Sequence, residues 1–266
     1  MKIALCQMNI LWEDKNFNKN TVLTFVKEAS YKKCELIVFP EMTLTGFSMN
    51  TINLGEESPE RSDTVLWSSK IAKDFNINIA FGYIEKLKDK AKNNLVIVSS
   101  EGKILSSYSK IHPFSFGEES KHYLGGSDFI TTSISDIEFG STICYDLRFP
   151  ELFQILSKRS HCIIVIANWP KERSYHWTTL LKARAIENQC YILGVNRVGS
   201  SNGLNYCGDS MIVSPLGEVL CHNFNNEGLI ISNIDKSKVE ELRNDFKVKL
   251  DRKETLYTLG YKRSQI

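Results

Sequence analysis

IVSSEGKIL at residues 97–105 and IVSPLGEVL at residues 212–220 are the same hairpin written twice. In each, an apolar pair runs into a turn, Glu101-Gly102 or Leu216-Gly217, and a second apolar run leaves it. That pattern predicts two antiparallel strands joined by a tight turn. Outward from the first copy, in a hairpin over 95–109, the chain steps back through a strand at 77–84 and a helix at 59–75 (Val65, Leu66, Ile71, Ala72, Phe75). Before these come an apolar strand at 36–39 stopped by Pro40, a helix at 18–33 with Val22, Phe25, Val26 and Ala29 on one face, and a strand at 2–8. Outward from the second copy, in a hairpin over 210–222, it steps back through a strand at 190–195, a helix at 174–188 and an apolar strand at 162–167 stopped by Trp169-Pro170. A helix at 150–158 and a strand at 137–144 precede these.

Both halves therefore read strand, helix, strand-then-Pro, helix, strand, hairpin, a weak internal duplication. Each half covers one face of its sheet with its two helices and leaves the other face apolar; stacking the sheets buries both remaining faces. The expected architecture is α/β, a four-layer α-β-β-α sandwich forming one domain over residues 1–266. A single open Rossmann sheet is disfavoured because no Gly-x-Gly-x-x-Gly follows a strand. A further strand at 228–234 and a helix at 238–246 follow, and the charged end, 247–266, reads either as a frayed tail or as an arm on a partner subunit.

Composition narrows the function classes. With 42% hydrophobic and 24% charged residues the chain is an ordinary globular sequence, and a net charge of +2 with interspersed signs gives no basic stripe for nucleic acid. The longest apolar run, 162–167, is too short for a bilayer, and MKIALCQMNI lacks a signal-peptide core, so a cytoplasmic protein with no membrane partner is expected. None of the seven cysteines forms a Cys-x-x-Cys pair, and Cys6, Cys162 and Cys190 lie in apolar strands as reduced core residues. The histidines show no His-Glu-x-x-His spacing, so no metal and no cofactor are expected.

Chemistry concentrates at strand ends. Residues 137–151, IEFGSTICYDLRFPE, bring Cys144 to a turn just before a helix opened by Pro150-Glu151, a position expected to lower a thiol pKa. Glu41 follows the strand ending at Pro40, and Lys110 follows the first hairpin. Singly, these read as a turn cap, a solvated lysine and a small core residue. Together they are a base, a cation and a nucleophile, the set that acyl transfer needs.

These segments resemble the nitrilase, or carbon-nitrogen hydrolase, superfamily: FPEMTLTGF around Glu41, YSKIHPF around Lys110 and STICYDLRFPE around Cys144, with the resemblance continuing through residues 166–199 and GDSMIVSPLGE. ANWPKERSYHW and NRVGSSNGLNYCGDS look most like the omega-amidase branch, which deaminates amides such as 2-oxoglutaramate. The resemblance implies a Glu41-Lys110-Cys144 triad working through a thioester, with Lys110 and the Tyr145 backbone N–H receiving the oxyanion. It implies a second glutamate near the lysine and favours Glu119 over Glu118. Arg148 reads equally as a clamp for a substrate carboxylate or as an ion-pair partner of Asp146 or Glu151. Trp169 reads as a pocket wall or a core residue. His112 suggests a Cys-His dyad, but the resemblance gives the base role to Glu41. The expected activity is hydrolysis of a small carboxylate-bearing amide by a homodimer or higher oligomer. N-carbamoyl amide hydrolysis, another aliphatic amidase activity, or a catalytically silent binding protein are the alternatives.

Overall fold

The computed structural model describes residues 1–264. The first half contributes β1 (Lys2–Gln7), α1 (Lys15–Tyr31), β2 (Leu36–Val38), a short α2 (Thr51–Leu54), α3 (Asp63–Asp74), β3 (Asn78–Lys86), β4 (Ala91–Val98) and β5 (Ile104–Ser109), and then the short α4 (Glu119–His122). The second contributes β6 (Thr131–Ile134), β7 (Ile137–Ile143), α5 (Pro150–Leu156), β8 (Cys162–Ala167), α6 (Ser174–Asn188), β9 (Tyr191–Asn196), β10 (Val198–Ser201), β11 (Leu204–Val213) and β12 (Val219–Phe224). Then come β13 (Gly228–Asn233), α7 (Lys236–Asp245) and α8 (Glu254–Arg263).

The strands form two sheets, β13-β1-β2-β3-β4-β5 and β10-β11-β9-β8-β7-β6, with β12 also on β11. In the first, β1, β2 and β3 are parallel and β4 and β5 follow as antiparallel meanders; in the second, β7, β8 and β9 are parallel and β11 and β12 follow in the same way. The duplication extends to hydrogen bonds. Gly102 and Gly217 both sit at left-handed φ (+81° and +85°), where glycine pays no Cβ penalty, and their N–H groups donate to Ser99 O and Ser214 O at 2.8 and 2.9 Å. Both copies also break register at the same Ile-Val pair, Ile97/Val98 and Ile212/Val213.

Strand alternation sorts the layers. Ile3 and Leu5 of β1, Leu36 and Val38 of β2, and Cys162, Ile164 and Ile166 of β8 face the seam between the sheets. Their neighbours in sequence face the helices: Ala4 and Cys6 meet Val22, Val26 and Ala29 of α1, and Ile163, Val165 and Ala167 meet Trp177, Leu181 and Ala185 of α6. Each fully buried aliphatic side chain contributes roughly 1.5–3 kcal/mol. Because a strand turned by one residue would exchange these two sets, the register is firmly specified.

Element ends differ from the sequence reading where a cap decides them. α1 starts at Lys15, not 18, because Asp14 accepts from the Phe17 N–H at 2.9 Å. α3 starts at Asp63, not 59, because Ser62 accepts from Val65 N at 3.2 Å. β7 stops at Ile143, so Cys144 belongs to the following turn and not to the strand. The described part of the charged end contacts the body of this chain. Residues 252–261 are held against residues 151–158 by Lys158–Glu254 (2.6 Å), Arg252–Gln154 (2.6 Å) and Tyr261–Glu151 (2.9 Å); residues 265–266 of that stretch lie outside the described residues. Among the described residues no helix is long and apolar enough to cross a membrane.

Candidate active site

β2, β5, β7 and β8 all point their C-terminal ends at one rim, since β5 reverses the reversed β4 and so runs with β2. The residues that leave those ends are Glu41, Lys110, Cys144 and Asn168. Glu41, Lys110 and Glu119 are 0%, 1% and 0% exposed, and charges so deeply buried persist only if they are paired and hydrogen-bonded. Here they are. Lys110 Nζ lies 3.1 Å from Glu41 Oε1 and 2.8 Å from Glu119 Oε2. Asn93 Nδ2 bridges the two carboxylates, donating to Glu41 Oε1 at 2.7 Å and Glu119 Oε1 at 2.9 Å. The Phe114 N–H donates to Glu119 Oε2 at 2.6 Å, and the Asn168 N–H donates to Glu41 Oε2 at 2.8 Å. Glu118, by contrast, is exposed and paired with Lys121, so of the adjacent glutamates only Glu119 turns inward.

Two carboxylates against one ammonium leave the cluster one negative charge in excess, and this governs the neighbouring groups. Burial alone would lower the Lys110 pKa, but Glu119, Glu41 and Cys144 outweigh it and raise the value well above that of free lysine. The Cys144 thiol is likewise pushed well above its ordinary value, by burial first and by Glu41 second, with Lys110 opposing. This corrects the sequence expectation of a lowered thiol pKa. The turn after β7 is one short 3-10 segment, Cys144–Arg148, and α5 begins only at Pro150. Desolvation and a nearby carboxylate therefore prevail over any helix dipole. Both effects favour the neutral thiol over the thiolate.

The turn carrying Cys144 is strained and pinned. Cys144 has φ +48°, a left-handed conformation that costs a non-glycine residue about 1–3 kcal/mol. The fully buried Asp146 carboxylate holds it, accepting from the Tyr108 hydroxyl (2.7 Å), the Ile143 N–H (3.0 Å) and the His112 N–H (3.1 Å), with His112 Nδ1 at 2.8 Å. His112 is thus engaged with Asp146 and stacked 3.7 Å from Phe149, the arrangement of a supporting residue and not of a Cys-His dyad. On the other sheet, Gly82 lets the Glu41 turn approach. A Cβ there would lie 2.3 Å from Met42 N and 3.0 Å from Glu41 Cα.

The cluster opens onto a cleft of about 260 Å³ whose lining includes Lys110, Cys144, Tyr145, Asn168 and Trp169. Arg148 stacks on the Trp169 ring (5.0 Å to its centroid) and donates to His176 Nδ1 at 3.1 Å. Neither of the ion pairs that the sequence suggested for Arg148 forms, because Asp146 is committed to the turn and Glu151 accepts from Tyr261. Trp169 is a pocket wall and also packs at 5.5 Å on Trp177. A second arginine in the lining, Arg173, lies over Phe114 at 5.6 Å. Among the described residues, neither arginine has an acidic partner. No group of three His, Cys, Asp or Glu side chains is arranged there to hold a metal ion.

Sequence reasoning missed Asn93, Asn168 and Arg173. Asn168 follows β8 as Pro40-Glu41 follow β2, a signal that was present, whereas Asn93 lies in the polar opening Lys92-Asn93-Asn94 of β4, which singles out no residue. Arg173 had none, because it lies in a charged turn.

The carbon-nitrogen hydrolase family model matches residues 2–244. The chain is 31% identical to the 2-oxoglutaramate amidase of Bacillus subtilis over 96% of this chain and 98% of that protein. It is 34% identical to omega-amidase YafV of Escherichia coli K12 over 83% and 84%. Among solved structures it superposes on XC1258 of Xanthomonas campestris, a CN-hydrolase superfamily protein crystallised with an arsenic adduct in its active site, with TM-score 0.89 and 29% identity over 95% and 97% of the two chains. The chain belongs to the carbon-nitrogen hydrolase family and is a hydrolase of amide carbon–nitrogen bonds.

Proposed function

We propose that the chain is an omega-amidase that hydrolyses the terminal amide of a small dicarboxylate monoamide, 2-oxoglutaramate in particular, through a Cys144 thioester. The observation that carries this reading is the pair of guanidiniums without an acidic partner among the described residues, Arg148 and Arg173, in the same cleft as the buried Glu41-Lys110-Glu119 cluster and Cys144. A carboxylate at the far end of the substrate suits them, since guanidinium–carboxylate contacts are charge-assisted and geometrically specific. The named relatives act as amidases of this class.

The mechanism follows from the protonation states. With the thiol held neutral, Glu41 removes its proton as Sγ attacks the carbonyl carbon. The oxyanion is received by Lys110 and the Tyr145 N–H, a donor of this kind being worth about 10²- to 10³-fold in rate. As the intermediate collapses, the C–N bond breaks and Glu41 returns the proton to the nitrogen, releasing ammonia. Glu41 then deprotonates a water that attacks the thioester carbonyl; the C–S bond breaks, the free acid leaves and the thiol is restored. Glu119 has no reacting atom to serve and keeps Lys110 charged and in place. The test is ammonia release from 2-oxoglutaramate by wild type and Cys144→Ala. Turnover by wild type and none by a folded alanine variant is the expected result. No release from 2-oxoglutaramate while other amides are cleaved would refute the assignment, and an active alanine variant would refute the nucleophile.

A further inference from the structure

Asn168 has three contacts to one residue and a group left over. Its N–H donates to Glu41 Oε2 at 2.8 Å and its Nδ2 donates to the Glu41 carbonyl at 2.6 Å. The same N–H also favours the Cys144 thiolate. Its Oδ1 is buried with no hydrogen-bond partner, and exchanging the amide's O and N would not help, because Nδ2 faces two acceptors, Glu41 O and, at 3.5 Å, Glu41 Oε2. A buried acceptor without a donor costs free energy that a bound ligand can recover. Asn93 Oδ1 is also unpartnered, but Asn93 does not line the cleft and Asn168 does.

We infer that Asn168 is the leaving-group ligand of this amidase: its Oδ1 accepts one N–H of the scissile amide while its side-chain amide holds Glu41. The inference rests on the proposed roles of Glu41 and Cys144 and does not depend on which acyl group is taken. An acceptor at that point turns the amide nitrogen so that its lone pair, freed as the carbonyl becomes tetrahedral, faces the proton on Glu41. The contact exists only for a substrate that has an N–H. An ester of the same acid lacks it, while its departing alkoxide still takes its proton from Glu41.

The test compares kcat/KM for matched pairs, butyramide with methyl butyrate and succinamate with monomethyl succinate, in wild type, Asn168→Ala and Asn168→Asp. The alanine variant loosens Glu41 for every substrate but removes Oδ1 only from amides. Its amide-to-ester ratio should fall about tenfold below wild type in any pair that is turned over, the scale of one neutral hydrogen bond. Asn168→Asp keeps an acceptor there and should restore the ratio while remaining slower in absolute rate. Equal losses on amide and ester in the alanine variant, or an aspartate variant with the alanine ratio, would overturn the inference. Cleavage of only the uncharged pair leaves this test intact and refutes the dicarboxylate reading instead.

Discussion

Replacing Lys110 by methionine keeps the length and volume of the side chain and deletes the one cation between Glu41 and Glu119. At 3.1 and 2.8 Å and an effective dielectric near 20, each pair has a Coulomb attraction of roughly 5–6 kcal/mol. The loss is smaller than their sum, because one of the two stranded carboxylates takes up a proton. Breaking a buried ion pair from one side costs about 3–5 kcal/mol, which at roughly 2–4 °C per kcal/mol lowers the unfolding midpoint by ~6–20 °C. The pH dependence gives the sharper reading. In the variant, burial and mutual repulsion raise one carboxyl above its unfolded pKa of about 4.3. Stability that depends on that proton is present at acid pH and is lost as pH rises through the raised value. In wild type, Lys110 titrates above its unfolded pKa of about 10.4, so its contribution is constant between pH 5 and 8. The stability gap between the proteins should therefore widen from pH 5 to pH 8, and Lys110→Met combined with Glu119→Gln should close much of it. Urea denaturation at several pH values measures this. A single variant within about 0.5 kcal/mol of wild type, the scale of an ordinary surface substitution, or a gap that does not change with pH, would refute the claim that these three groups form one buried charge cluster.

Three further outcomes are expected. Arg148→Ala or Arg173→Ala should raise KM for 2-oxoglutaramate by about 10- to 100-fold, the scale of one charged hydrogen bond, and leave butyramide nearly unaffected; steady-state kinetics on both substrates checks it. Gly82→Ala should lower kcat by about 10²-fold in a folded protein, because the new Cβ displaces the Glu41 turn, and a displacement near 1 Å costs that much; kinetics beside a circular dichroism spectrum tests this. Alkylation of Cys144 by iodoacetamide, followed by peptide mass, should accelerate with a midpoint above the free-thiol value of about 8.5. Glu41→Gln should lower that midpoint, since the Glu41 charge disfavours the thiolate. A plateau already reached at pH 7 in wild type would contradict a raised thiol pKa.

The part of the fold legible in the sequence is the part governed by alternation and turns. IVSSEGKIL and IVSPLGEVL announce two hairpins, and the apolar strands before them show which face needs covering, so the stacked sheets follow from burial alone. What eluded that reasoning depends on partners remote in the chain. β13 sits beside β1, more than 200 residues away, pairing Lys2 with Asn233, and nothing in GLIISN names its neighbour. α8 consists of exposed residues, Leu256, Tyr257, Leu259 and Tyr261 among them, and is tied to the body of the chain by polar contacts, so its apolar positions do not tell where it packs. At the site, Glu41, Lys110 and Cys144 were legible because each closes a strand. Asn93 was not, because an asparagine within a strand has meaning only once two carboxylates are found on either side of its amide.

The sequence by itself determined the chemical types available at one rim, a carboxylate, an ammonium and a thiol, since strand direction and duplication order suffice to bring those ends together. The tertiary structure decided their states. Whether Cys144 rests as thiol or thiolate depends on how far water is excluded and on how Glu41, Glu119 and Lys110 divide their charges at about 3 Å. Electrostatic energy in a dry interior varies with distance and burial, and neither is written in the order of the residues.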